Sequence, residues 1–311
     1  MIVFDGNTTA LKKELTLQQE VSGLAIKPQI AAIFFEEDAG SRLYSRLKRE
    51  AAERVGMKYQ LHQFSLKDTV ENILLTIDSL NKNESVTGII IQKPTQSVWA
   101  ISLGMEQGSE LKKVYSNWWK QLVSAIALEK DVDGLHPVTL SAIENGSWQE
   151  QGRVLPATCQ AVIEILSSYF GNIENAVVDA KNGDFVRALQ PLKEMKIIIL
   201  GKSDLLGKPL YYYLHNLGCK PEMIGKKELM QKVEQGIRLR DADVIVSATG
   251  NHNLITGELV KEGVVIIDVG EPRPDVEFAS VKDKAAFITP VPGGVGPMTV
   301  VCLLENALRL I

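Results

Sequence analysis

The stretch Lys196-Ile197-Ile198-Ile199-Leu200-Gly201-Lys202-Ser203-Asp204-Leu205-Leu206-Gly207-Lys208-Pro209 decides the fold class. A short, wholly aliphatic run is what a strand covered on both faces looks like, and the glycines after it permit a tight turn into a helix over 209–216. Backbone N–H groups of such a turn, and the helix N-terminus beyond it, face outward from the strand end and suit a phosphate. The turn reads GxSxxxGxP rather than GxGxxG, and a plain tight connection would use the same residues. Two more runs share the form: Ala242 to Ala248 leads into Thr249-Gly250, and Val264 to Asp268 leads to Gly270. Three strand ends thus deliver small residues to one edge, where open α/β sheets bind ligands.

Upstream, strands are predicted at 30–35, 58–63 and 86–91, again alternating with helical patterns, so the chain reads as α/β with parallel sheets. Leu43, Leu47, Ala51 and Val55 recur every four residues and predict a helix that Ser41 can cap and Gly56 can end. Tyr44 and Lys48 share a neighbouring face of it. Val70, Ile73, Leu74, Ile77 and Leu80 mark a second helix. Trp118-Trp119 lies in a helical stretch and is expected to be aromatic core or a subunit contact rather than a stacking platform for bases. Glu144 to Arg153 reads as a hinge, Gly171 to Pro191 as a surface insertion, and 296–311 as a final helix.

Over 311 residues, 45% hydrophobic and 23% charged with net charge −4, the composition is that of a folded globular protein. No basic block points to nucleic acid, no apolar run approaches the ~20 residues of a membrane span, and the expectation is a cytoplasmic protein. Cys159, Cys219 and Cys302 are far apart and suggest neither a disulfide framework nor a zinc site.

Two clusters besides the glycine turn carry chemistry. Lys130-Asp131-Val132-Asp133-Gly134 sets two carboxylates two apart; without further oxygen ligands, metal is set aside. Pro290-Val291-Pro292-Gly293-Gly294-Val295-Gly296-Pro297-Met298-Thr299 brings a bare backbone up to the last helix, where Pro297 suits the first turn.

Together, Tyr44-x-x-x-Lys48, Gly88 to Gln92, Lys130 to Gly134, Gly201 to Pro209 and Pro290 to Thr299 resemble, in order, the bifunctional methylenetetrahydrofolate dehydrogenase/cyclohydrolase family. The resemblance implies an N-terminal α/β catalytic domain over 1–155 that regains helix 296–311, a Rossmann-type domain over 156–295, and a folate cleft between them. It implies oxidation of 5,10-methylenetetrahydrofolate to the methenyl form by hydride transfer to NADP, hydration of that form to 10-formyltetrahydrofolate, and a homodimer through the cofactor domains. By the same resemblance Lys48 is central to hydration, Gln92 assists it, Tyr44 lines the folate and Asp133 holds the pterin. Pro292, Gly293 and Gly294 border the substrate, and Gly201, Lys202, Ser203, Gly207, Lys226, Thr249 and Gly250 bind the cofactor. A lysine beside a cationic substrate, away from water, is expected to have a lowered pKa and to suit general-base work; a lysine that merely snorkels from an amphipathic helix is the plainer reading.

The chain departs from the family's pattern in several blocks. Lys93-Pro94-Thr95-Gln96 replaces Leu-Pro-Leu-Pro, the span from Gln92 to Asp131 is longer, and Gly270 is followed by Glu271-Pro272. Lys202 and the Gly225-Lys226-Lys227-Glu228 turn replace arginine and a His-Ser-basic-Thr turn. Three lysines could hold a 2′-phosphate as point charges, and no acidic residue directly follows Met223-Ile224, so NADP is preferred over NAD. Two other readings stay open: a monofunctional cyclohydrolase of the same fold, and a non-catalytic folate- or nucleotide-binding scaffold with residues 97–127 as its partner surface.

Overall fold

The structure, a computed structural model, describes residues 1–105, 108–171, 184–234, 239–270 and 273–311. In chain order the elements are β1 (Ile2–Val3), α1 (Gly6–Gly23), β2 (Gln29–Phe35), α2 (Ala39–Val55), β3 (Lys58–Phe64), α3 (Val70–Lys82), β4 (Gly88–Ile91), α4 (Gln96–Ser102), α5 (Ser109–Ser124), α6 (Pro137–Glu144) and α7 (Ala157–Phe170). There follow α8 (Asp184–Ala188), β5 (Ile197–Leu200), α9 (Gly207–Asn216), β6 (Glu222–Ile224), α10 (Lys226–Glu234), β7 (Val244–Ser247), β8 (Val265–Asp268), α11 (Phe278–Val281), β9 (Phe287–Ile288) and α12 (Val295–Arg309). Of the expected insertion at Gly171 to Pro191, residues 172–183 lie outside the described residues, as do Glu271 and Pro272. No helix among the described residues is long and apolar enough to cross a membrane.

The chain divides into two compact units. One comprises Glu14–Ala142, Trp148–Leu155 and Leu303–Ile311; the other comprises Met1–Lys13, Ile143–Ser147 and Pro156–Cys302. The first is built on a parallel three-stranded sheet of order β3-β2-β4. The chain leaves β2 toward one neighbour and returns past it to the other, so right-handed crossovers place α2 and α3 on opposite faces. In α3, Ile73, Ile77 and Leu80 are buried, as the spacing predicts.

In α2 the buried stripe is rotated from the one expected. Ser41, Ser45, Lys48, Ala51, Ala52 and Val55 face inward, while Leu43 and Leu47 are 44% and 38% exposed. The cap differs too: the Asp38 carboxylate, not Ser41, takes the free N–H of Ser41 at 2.8 Å, and the same carboxylate accepts Thr95 N–H at 2.8 Å. Asp38 thereby ties the start of α2 to the segment after β4. Gly56 ends the helix in the left-handed region, at φ 84°. Trp118 packs on Phe35 with centroids 5.5 Å apart and against Trp99 and Tyr115, so the Trp pair belongs to an aromatic core.

The second unit holds a six-stranded parallel sheet of order β1-β9-β8-β7-β5-β6. β5, β7 and β8 are buried along their whole length, matching their aliphatic sequence. β1 joins this sheet through β9, so the amino-terminal residues go with it. Two buried carboxylates fix the loops at the strand ends. Asp275 accepts Ser247 Oγ at 2.7 Å, Thr249 N–H at 2.6 Å, Thr249 Oγ1 at 2.9 Å and Asn251 N–H at 2.8 Å. Asp268 accepts the N–H groups of Gly270, Asp275 and Val276 at 2.8, 3.2 and 3.0 Å.

Burial pushes the Asp268 carboxyl up to about 6 from 3.8, against the pull of those three N–H groups. A group that binds its proton more tightly when folded adds stability below its unfolded pKa, and that part is lost as pH rises through about 6. An Asp268→Asn variant lacks this titration but opposes an amide N–H₂ to one backbone donor, at a cost of about 1–3 kcal/mol. The lead of the wild-type thermal midpoint over the variant is therefore expected to shrink between about pH 4 and about pH 7 in a thermal-unfolding series.

Candidate active site

The polar face of α2 and the end of β4 meet the Lys130–Gly134 segment inside the three-stranded unit. Lys130 Nζ donates to the carbonyls of Leu80, Asn81 and Asn83 at 3.0, 2.7 and 2.8 Å, closing the C-terminus of α3. Asp131 is 2% exposed and accepts Leu135 N–H, His136 N–H and Thr139 Oγ1 at 3.0, 3.0 and 2.8 Å. Asn306 Nδ2, from α12, donates to the carbonyls of Val132 and Leu155 at 3.0 and 2.9 Å. These three side chains build the loop; Asp133, half-buried, is left for chemistry.

Lys48 is only 6% exposed. Burial draws its pKa below the ordinary lysine range, and the charge of Asp133 pulls the other way. Gln92 directly follows β4, and its N–H donates to the Ile33 carbonyl at 2.8 Å, prolonging the sheet pairing by one residue. Tyr44 stands one turn before Lys48 on α2, half-buried. The structure thus brings Lys48 and Asp133 within electrostatic reach and sets Gln92 at the adjoining strand end.

One neighbour in this group has no sequence signal. Tyr59, on β3, feels the charges of Asp133 and Arg49 and lies against the Gln92 carboxamide. Its hydroxyl is pushed far up by burial first and by Asp133 next, so it stays neutral. Tyr44 Oη, Tyr59 Oη, Gln92 Nε2, Ser41 Oγ and Ser45 Oγ are all sealed from solvent without a hydrogen-bond partner of good geometry. Buried polar atoms are nearly always paired, so a group of unpaired ones around a buried lysine has the donor and acceptor set of a polar ligand site. Beside it, Lys93 Nζ sits 4.9 Å over the Trp119 ring and 5.6 Å over that of Tyr115.

The six-stranded unit carries the remaining expected site residues. Gly201 turns at φ 119°, and a Cβ on Gly207 would stand 1.9 Å from the Gly201 carbonyl, so only glycine closes this turn. Lys208 N–H donates to the Ser203 carbonyl at 3.0 Å, opening α9 directly behind the turn. Thr249 is held by Asp275, and Gly250 follows it at φ 65°. Lys226 starts α10, and its side chain lies outside the described residues.

No acidic residue directly follows Ile224, as the sequence indicates, but Glu228, four residues on, folds back to accept Gly225 N–H at 2.6 Å and Lys202 Nζ at 2.7 Å. The Lys202 hydrogen bond, followed by that of Gly225, holds its carboxyl below the usual range. Helical folding brings a distant position back to the turn, which adjacency in sequence does not reveal.

The Val291–Pro292 bond is cis. Gly293 follows at φ 97°, where an added Cβ would stand 2.9 Å from Asn7 Nδ2, and a Cβ on Gly294 would stand closer still to backbone, 2.5 Å from Pro290 O.

Residues 185–311 match the family model described as tetrahydrofolate dehydrogenase/cyclohydrolase, NAD(P)-binding domain, and residues 4–106 match its catalytic-domain counterpart. The bifunctional protein FolD of Bacillus subtilis is 31% identical over 317 residues, spanning 99% of this chain and 96% of its own. That of Hydrogenobaculum is 33% identical over 318 residues, spanning 99% and 98%. Among solved structures, the bifunctional enzyme FolD of Campylobacter jejuni superposes with a TM-score of 0.78 at 28% identity, over 100% of this chain and 98% of that one. The Trypanosoma brucei enzyme, complexed with NADP cofactor and inhibitor, gives 0.79 at 27% identity over 99% and 96%. Full-length similarity at this level leaves one assignment: the chain belongs to the tetrahydrofolate dehydrogenase/cyclohydrolase family.

Proposed function

We propose that the protein oxidises 5,10-methylenetetrahydrofolate to 5,10-methenyltetrahydrofolate, with NADP as hydride acceptor, and hydrates the product to 10-formyltetrahydrofolate. The observation that carries the hydration half is the buried Lys48 amine facing Asp133 amid unpaired polar atoms. For the oxidation half it is the Gly201–Gly207 turn, a tight glycine turn between β5 and α9 in which added side chains would collide with neighbouring backbone.

In the first step the carbon between two nitrogens gives up hydride, and the nitrogen lone pairs stabilise the resulting cation. The glycine turn would hold the pyrophosphate of NADP, whose nicotinamide would supply the hydride acceptor. The chain's task there is alignment rather than proton transfer. Asp133 accepts two parallel N–H bonds from the pterin edge, Tyr44 lines the folate, and the backbone of Pro292, Gly293 and Gly294 borders it.

Hydration needs proton management. Water bonds to the methenyl carbon and passes one proton to the Lys48 amine, which leaves a neutral carbinolamine. The carbon–N5 bond then breaks as N5 takes the proton from the Lys48 ammonium, the adduct hydroxyl loses its proton to solvent, and the formyl group stays on N10. Water plus cation thus gives product plus one proton. Only a neutral amine can begin this sequence, and desolvation supplies it.

NADP, rather than NAD, is favoured by Lys202 after β5 and Lys227 after β6, with Glu228 as the opposing charge. A homodimer through the six-stranded units is part of the same proposal.

Four outcomes are expected. In an absorbance assay, methylenetetrahydrofolate and NADP yield reduced cofactor, and the methenyl chromophore decays faster than without protein; silence in both overturns the proposal. Lys48→Met slows hydration by about 100-fold or more, and the wild-type rate climbs with pH through a midpoint below the usual lysine value. Because Asp133 holds that midpoint up, Asp133→Asn moves it to lower pH while raising the folate KM. Glu228→Gln strengthens NADP binding relative to NAD, read by quenching of protein fluorescence, since it removes a negative charge beside the 2′-phosphate.

A further inference from the structure

Tyr59 belongs to none of the motifs, yet strand register aims it at the site. It lies opposite Ile30 on β2, which in turn lies opposite Gly88 on β4. Paired residues share a face, and so do alternate ones, so Tyr59, Ala32, Ile90 and Gln92 are on the same face of the sheet. Ala32, the smallest of these, stands on the strand between the phenol and Gln92. Across it the phenol lies against the Gln92 carboxamide, with Asp133 and Arg49 also close. Neither Tyr59 Oη nor Gln92 Nε2 has a well-formed partner. An apolar ring would fill this position without burying an unpaired hydroxyl, so packing alone does not account for the oxygen.

We infer that Tyr59 is a positioning residue of the hydration site: its hydroxyl orients the Gln92 carboxamide, and Gln92 in turn holds the attacking water beside Lys48. The inference rests on the proposed roles of Lys48 and Gln92. A neutral phenol donates to Gln92 Oε1 once the amide turns toward it, and the turn points Nε2 away from the ring and into the site. Tyr59 acts through this amide and makes no bond to the reacting atoms.

Tyr59→Phe removes one oxygen and tests the point. The variant is expected to lower kcat for methenyl hydration about tenfold with folate KM within about twofold, while its thermal midpoint stays level or rises. Because the phenol works through Gln92, Tyr59→Phe/Gln92→Met is expected to be no slower than Gln92→Met alone. Hydration within about twofold of wild type in Tyr59→Phe, with Lys48→Met inactive, overturns the role of Tyr59 and leaves the proposed function standing. Full hydration activity in Lys48→Met overturns the role of Lys48 on which the inference rests, whereas absence of hydration in the wild type overturns the proposed function itself. Additive losses in the double variant, or a rate loss that tracks a fallen thermal midpoint, also overturn the inference.

Discussion

An ammonium taken out of water is strongly disfavoured, and the site depends on how this fold answers that cost for Lys48. Burial alone would expel the proton; the charge of Asp133 alone would keep it. With the first influence the larger, the amine is biased toward the neutral base and Asp133 limits the bias. A cationic substrate adds to it, since like charges oppose a second cation nearby. Against that cost α2 turns serines and a lysine inward while two leucines face solvent: the Asp38 cap and the buried Ala51, Ala52 and Val55 hold the helix in this orientation.

The motifs divide their residues between building and acting. In Lys130–Gly134, Lys130 closes a helix and Asp131 folds a loop, so that one carboxylate, Asp133, remains. In the six-stranded unit Asp268 and Asp275 spend their oxygens on backbone N–H groups and thereby present Thr249. In these two loops the exposed group stands on buried charges that are spent on backbone, which fixes the loop without covering it.

Much of this was legible in the sequence because it depends on local patterns. Aliphatic runs gave the buried parallel strands, glycine gave the end of α2 and the turn before α9, and Tyr44, Lys48, Gln92 and Asp133 fell within motifs of fixed spacing. What was not legible depends on three-dimensional neighbours. The rotation of α2 follows from Asp38 bonding Thr95, 57 positions away. Glu228 reaches Lys202 only once β6 and α10 are folded. Tyr59 joins Gln92 through the register of three strands, and a lone tyrosine in a strand carries no pattern that would single it out. The pairing of β1 with β9 likewise joins Ile2 and Val3 to Phe287 and Ile288 far along the chain.

The unpaired hydroxyls and amide around Lys48 are a standing loss of stability, on the order of 1 kcal/mol or more for each buried group. A sequence under selection for stability alone would exchange Ser41, Ser45 and Tyr59 for apolar residues of similar size. Their presence on α2, beside Lys48, and on β3 concentrates the loss where a polar substrate and a water must be received, while β4 and β2 from Ile30 onward are buried beneath. The sheet therefore carries the stability, and the polar layer above it can remain unsatisfied until substrate arrives: binding then supplies partners that folding withheld, and the energy released orients the reacting groups.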